Sequence, residues 1–72
     1  MFDFSELRGL MVAKFSTCAA CAEAVGMSRS QMSDRLTGKR NFQLEEIYDL
    51  CEPSVLDIPA TEIGRYFLTP KV

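Results

Sequence analysis

Apolar residues recur along the chain at helical spacing, and each run is bracketed by residues that start or stop helices. Leu7, Leu10, Met11 and Phe15 fall three or four positions apart, which predicts a helix with one face on a core. The stretch D-F-S-E sets its start as a capping box: Asp3 is placed to accept from a first-turn amide, and Glu6 to reach back. Gly9 weakens this helix slightly. Ser16 or Thr17 caps a second helix with a small, apolar inner stripe of Cys18, Cys21, Ala22 and Val25, ending at Gly26. Ser28 caps a third, at 28–37, which Met32 and Leu36 anchor and Gly38 closes. Its solvent side carries Arg29, Ser30, Gln31, Asp34 and Arg35.

The second half continues the pattern. Lys39, Arg40 and Asn41 form an exposed turn, with Phe42 tucked back beneath it. Residues 43–52 predict a fourth helix with Leu44, Ile47, Tyr48 and Cys51 inward, and Pro53 stops it. Val55, Leu56 and Ile58 lie in a connector and need apolar cover. Pro59 suits the first turn of a fifth helix with Ile63, Tyr66 and Phe67 on one side. Pro70 ends it, and the last residues are expected to fray. No strand pattern, repeat, low-complexity tract or interdomain linker competes with these helices. The expectation is an all-α fold of five short helices, a single domain over residues 1–72.

Length and composition narrow the function. A chain of 72 residues supports one small core, near the lower limit for folding without staples. Hydrophobic residues make up 47% and charged residues 25%, a globular rather than a disordered balance. No apolar run approaches the roughly 18 residues of a membrane span, and the N-terminus lacks a basic region followed by an apolar one, so no signal peptide is expected. The expected compartment is therefore the cytoplasm, with no membrane partner. The cysteines agree: Cys18, Cys21 and Cys51 are three, an odd number that cannot pair fully within the chain. Cys18 and Cys21 form a C-x-x-C, yet zinc normally takes four ligands, and the chain has no histidine and one further cysteine. They read as small core hydrophobes, with no metal or other cofactor expected. Without histidine or an evident nucleophile–base pair, an enzyme is not expected either.

Charge divides the chain. Residues 28–42 hold four cations (Arg29, Arg35, Lys39, Arg40) against one anion, Asp34. Residues 43–62 hold six anions (Glu45, Glu46, Asp49, Glu52, Asp57, Glu62) and no cation. The whole carries a net charge of −2, whereas nucleic-acid-binding domains are usually basic. Residues 17–38, two short helices about a tight glycine turn, read as a helix-turn-helix, a device that presents its second helix to the DNA major groove. The stripe Glu45, Asp49 and Glu52 is either a solvated face or, with Tyr48 and Phe42, a surface for a basic protein partner.

The stretch T-x-x-x-C-A-x-x-V-G-M-S-R-S-x-M-S-x-R-L-x-G-K resembles the Cro/CI-type helix-turn-helix family. The opening M-F-D-F-S-E-L-R-G-L and the ending E-I-G-R-Y-F-L-T-P-K-V extend the likeness, over nearly the full length, to small regulators of temperate phages and prophages of Gram-positive bacteria. These include Cro-like proteins and the antirepressors called modulators of repression. The resemblance implies a compact lambda-repressor-like domain that regulates the lytic–lysogenic switch in the cytoplasm of a bacterial host. It would act as an antirepressor on the N-terminal DNA-binding domain of a cognate CI-type repressor, as a binder of operator DNA, or as both. The alternative is a purely Cro-like repressor, a homodimer on a pseudo-palindrome, with no repressor partner.

The resemblance places Ser28, Arg29, Ser30 and Gln31 at the groove, with Asp34 and Arg35 one turn on and Lys39, Arg40 and Asn41 along the backbone. Arg29 suits guanine, and Asp34 suits a cytosine amino group but repels phosphate. Relatives often carry a phosphate-contacting glutamine in the first turn of helix two, where this chain has Cys18.

Overall fold

The computed structural model describes residues 1–71; Val72, the end of the expected 1–72 domain, lies outside the described residues. The fold is all-helical, with α1 at Ser5–Phe15, α2 at Cys18–Ala24, α3 at Arg29–Leu36, α4 at Leu44–Cys51 and α5 at Ile63–Phe67. A 3₁₀ turn, Ala60–Glu62, leads into α5. Among the described residues there is no strand, only an isolated antiparallel bridge between Phe2 and Pro70.

Local signals set most boundaries. The Thr17 hydroxyl accepts from the Ala20 amide at 3.0 Å and opens α2. At the other end the Gly26 amide donates to the Glu23 carbonyl and the Met27 amide to the Ala22 carbonyl, a Schellman closure. Gly26 supplies the left-handed backbone this closure needs, at φ 74°. Ser28 and Gln31 then form a reciprocal capping box: the Ser28 hydroxyl accepts from the Gln31 amide at 3.0 Å, and the Gln31 side chain accepts from the Ser28 amide at 2.8 Å. Glu52, which precedes Pro53, is extended (φ −54°, ψ 143°), so α4 ends at Cys51.

The start of α1 departs from expectation. No capping box forms at Asp3; Phe4 takes the N-cap position with no side-chain cap. Asp3 instead accepts from the Ser5 hydroxyl and amide, which hold its carboxyl below the usual range. Glu6 turns away to Arg65, which donates to both of its carboxylate oxygens at 3.1 and 3.2 Å. The reason is burial. Phe4 packs edge-on against Phe42 with ring centroids 5.3 Å apart, and Phe42 packs the same way on Phe67 at 5.3 Å. Such pairs add about 0.5–1.5 kcal/mol each beyond the area they bury. This aromatic stack ties the N-terminus, the α3–α4 loop and α5 together. The C-terminal segment does not fray through residue 71: the Asp3 amide donates to Thr69, and the Lys71 amide to Met1.

The core gathers Phe4, Leu7 and Met11 with Cys21, Ala22, Met32 and Leu36 from the first three helices. Leu50, Leu56, Ile58 and Phe67 close it from the second half, so the connector finds its apolar cover. Helix α4 is rotated relative to the expected face. Leu50 is fully buried, whereas Leu44 and Tyr48 stand 68% and 62% exposed. Glu46 explains the rotation. It must face α3 to meet Arg35, which brings Leu50, one turn on, to the core and turns Leu44 and Tyr48 outward.

Candidate recognition surface

Helices α2 and α3 are joined by four residues, 25–28, and α3 opens on the exposed side of the turn. Ser28, Arg29, Ser30 and Gln31 are all exposed there. Their polar groups are not equally available, however. The Ser28 hydroxyl and the Gln31 carbonyl oxygen are engaged in the cap, leaving the Gln31 amide nitrogen and the Arg29 and Ser30 side chains to face outward. Lys39, Arg40 and Asn41 are exposed in the loop after α3, and Asp34 is half-buried.

Arg35 is not a solvent-facing side chain. It is buried, and its guanidinium donates to both Glu46 oxygens, at 3.1 Å from Nε and 2.8 Å from Nη2. The hydrogen bonds from Arg35 hold the Glu46 carboxyl below the usual carboxylate range, with the Gln43 amide adding to the effect. The Gln43 amide donates to the same Glu46 at 2.9 Å, so one carboxylate caps α4 and clamps it to the end of α3. The basic patch read from the sequence thereby loses one of its four cations.

Phe42, assigned to a partner-facing surface with Tyr48, is instead half-buried between Phe4 and Phe67. Of that surface, Glu45, Tyr48 and Asp49 are exposed on α4, and Glu52 is exposed just past its end.

One cation escaped the sequence reading. Arg8 of α1 lines, with Cys18, Ala19, Arg29, Met32 and Ser33, a groove of about 220 Å³ between the starts of α2 and α3. Arg8 also approaches the Leu36 carbonyl at 3.4 Å. Arg8 and Arg29 thus line the same groove as the half-buried Cys18. The pair is separated by 21 positions, and no periodicity links them.

The family described as "Protein of unknown function (DUF739)" matches residues 1–70. The chain belongs to this family. No curated protein matches it. For this DUF739 chain no helix among the described residues is long and apolar enough to cross a membrane. Nor do the described residues hold a group of three or more Cys, Asp or Glu side chains placed to bind a metal ion. Cys21 is fully buried with its thiol pushed up to about 11 by burial, and Cys51 is raised for the same reason. The C-x-x-C of this DUF739 chain is thus half core, through Cys21, and half groove lining, through Cys18.

Proposed function

We propose that the protein is a Cro/CI-type helix-turn-helix regulator of a temperate-phage lytic–lysogenic switch. It acts as an antirepressor on the DNA-binding domain of the cognate CI-type repressor and meets operator DNA weakly by itself. The reading includes no catalytic step. The observation that carries it is the withdrawal of Arg35 into an ion pair with Glu46. Four cations remain exposed about α3: Arg8, Arg29, Lys39 and Arg40. If all four met phosphates, the salt slope would be about −3.6, a loss of about 150-fold in affinity between 50 and 200 mM salt. Specific binders with six to ten phosphate contacts lose roughly 10³–10⁵ over the same interval. A single copy is therefore underpowered for DNA, while its acidic second half complements a basic DNA-reading surface.

The second reading is a Cro-like homodimer that binds operator alone. It is favoured by the capped, exposed start of α3 and by the Arg8–Arg29 groove, which would accept a backbone phosphate. One experiment separates the two: a gel shift of operator DNA with repressor, with this protein, and with both. The antirepressor reading expects release of repressor from DNA and a discrete heteromer on gel filtration. If the repressor–operator band persists at every ratio while this protein shifts operator alone, the Cro-like reading replaces it.

A further inference from the structure

Helix α4 leaves an apolar strip uncovered. Leu44 and Tyr48, one turn apart, are the two most exposed large apolar side chains on any of the helices. The strip runs on past Tyr48 into an open groove of about 200 Å³ walled by Cys51, Pro53, Ile58, Ala60 and Ile63. Ligand pockets for small molecules span roughly 300–1,000 Å³, so this groove fits an inserted side chain better than a cofactor. An exposed leucine by itself is ordinary. An exposed leucine and tyrosine continuous with an apolar groove are the elements of helix-in-groove recognition.

Charge selects the occupant. Glu45 and Asp49 are exposed on α4, Glu52 just past its end, and Asp57 on the connector behind it. Residues 43–62 contain no cation. Glu46 is already matched by Arg35, and Glu62 lies 3.8 Å from Arg65, so the four exposed acids are left without a cation among these contacts. A second copy docked here about a two-fold axis would set these acids against their own equivalents. Nucleic acid would set them against phosphate.

We propose that the Leu44–Tyr48 strip and its groove are a docking site for an amphipathic helix of a partner protein, an apolar anchor flanked by Lys or Arg. Tyr48 is the central contact on this side, with a broad apolar ring and a hydroxyl that stays wet at the rim. This docking site rests on the antirepressor reading, whose acidic half it narrows to one strip, and it shares no residue with the α3 surface; a peptide titration tests the strip alone, so its failure leaves the gel-shift outcome standing.

The test titrates isotope-labelled protein, followed by amide shifts, with three synthetic probes. These are a leucine–lysine amphipathic helical peptide, its leucine–glutamate counterpart, and a scrambled leucine–lysine peptide of the same composition. Only the first should bind, shifting residues 44–51 and 58–63, and added salt should weaken it. Tyr48→Ala and Leu44→Ser should each weaken binding about tenfold, the loss expected on truncating an interface anchor. Both side chains are largely exposed, so the variants should keep the wild-type melting temperature, which confirms that they fold. Absence of binding, equal binding of the acidic or scrambled peptide, shifts elsewhere, or unaltered affinity of Tyr48→Ala overturns the proposal. So does self-association whose shifts map to this face.

Discussion

Replacing Arg35 with methionine isolates the ion pair that distinguishes this domain. The Arg35 and Glu46 side chains are 8% and 16% exposed, and the contact is bidentate. An exposed pair contributes roughly 0–1 kcal/mol, and breaking a buried one costs roughly 3–5. Glu46 keeps some contact with water and would recover part of its hydration once abandoned, which places the loss at about 2 kcal/mol. A domain of this length holds roughly 4–11 kcal/mol in all, so the change is large. At roughly 4–8 °C per kcal/mol, the melting temperature should fall by about 8–16 °C.

The assay is thermal unfolding by circular dichroism at pH 7 on Arg35→Met, Glu46→Leu and the double variant. Each single change leaves one charge buried without its partner. The double change replaces both by apolar groups of similar size, which is often neutral or stabilising, and loses only the Glu46 cap on the Gln43 amide, so it should lie within about 1 kcal/mol of wild type. Acid titration gives the second arm. The Glu46 carboxyl in the folded state lies below its ordinary 4.5. Its contribution is therefore fully present above the unfolded value and is lost as pH falls through the lower folded one. Single-variant losses that simply add in the double variant, within about 0.5 kcal/mol, would refute the coupling.

Two further outcomes check the packing. Gly26→Ala meets no atom within 4 Å but must hold φ 74°, so it should cost about 1–2 kcal/mol, whereas Gly9→Ala, in open space on α1, should gain about 0.5–1 kcal/mol. Equal melting temperatures for the two variants would remove the backbone argument. Thiol labelling of the native protein at pH 8 should leave Cys21 unreacted until denaturant is added, since it is fully buried with its thiol near 11; rapid modification of Cys21, identified by peptide mapping, would contradict that.

What could be read from the sequence was local. Thr17, Gly26, Ser28, Gly38 and Pro53 act on amides and carbonyls within a few positions, and each bounds a helix where its chemistry requires. What could not be read depends on partners brought in from afar. Asp3 and Glu6 match a capping box, but Arg65, 59 positions from Glu6, and the aromatic stack about Phe42 outbid it. Apolar spacing alone put Leu44 and Tyr48 inside, because Leu44, Tyr48 and Cys51 form as regular a stripe as Ile47, Leu50 and Cys51 do. The choice between stripes rests on Glu46, whose attraction to Arg35 exists only once α3 and α4 are folded against each other. Arg8 went unnoticed for the same reason.

The Arg35–Glu46 pair also bears on recognition without touching a ligand. It closes the base of the loop that carries Lys39, Arg40 and Asn41, with Arg35 on the last turn of α3 and Glu46 on the first turn of α4. Loss of the pair should loosen that loop and weaken binding of operator or repressor, an effect easily mistaken for loss of a direct arginine contact. The double variant tells them apart. If Arg35 acts by positioning, Arg35→Met/Glu46→Leu restores the loop and the affinity along with the melting temperature. If Arg35 met the ligand, stability would return and binding would not. Arg29→Ala serves as the opposite case: its side chain is exposed at the start of α3, so binding should fall while the melting temperature holds.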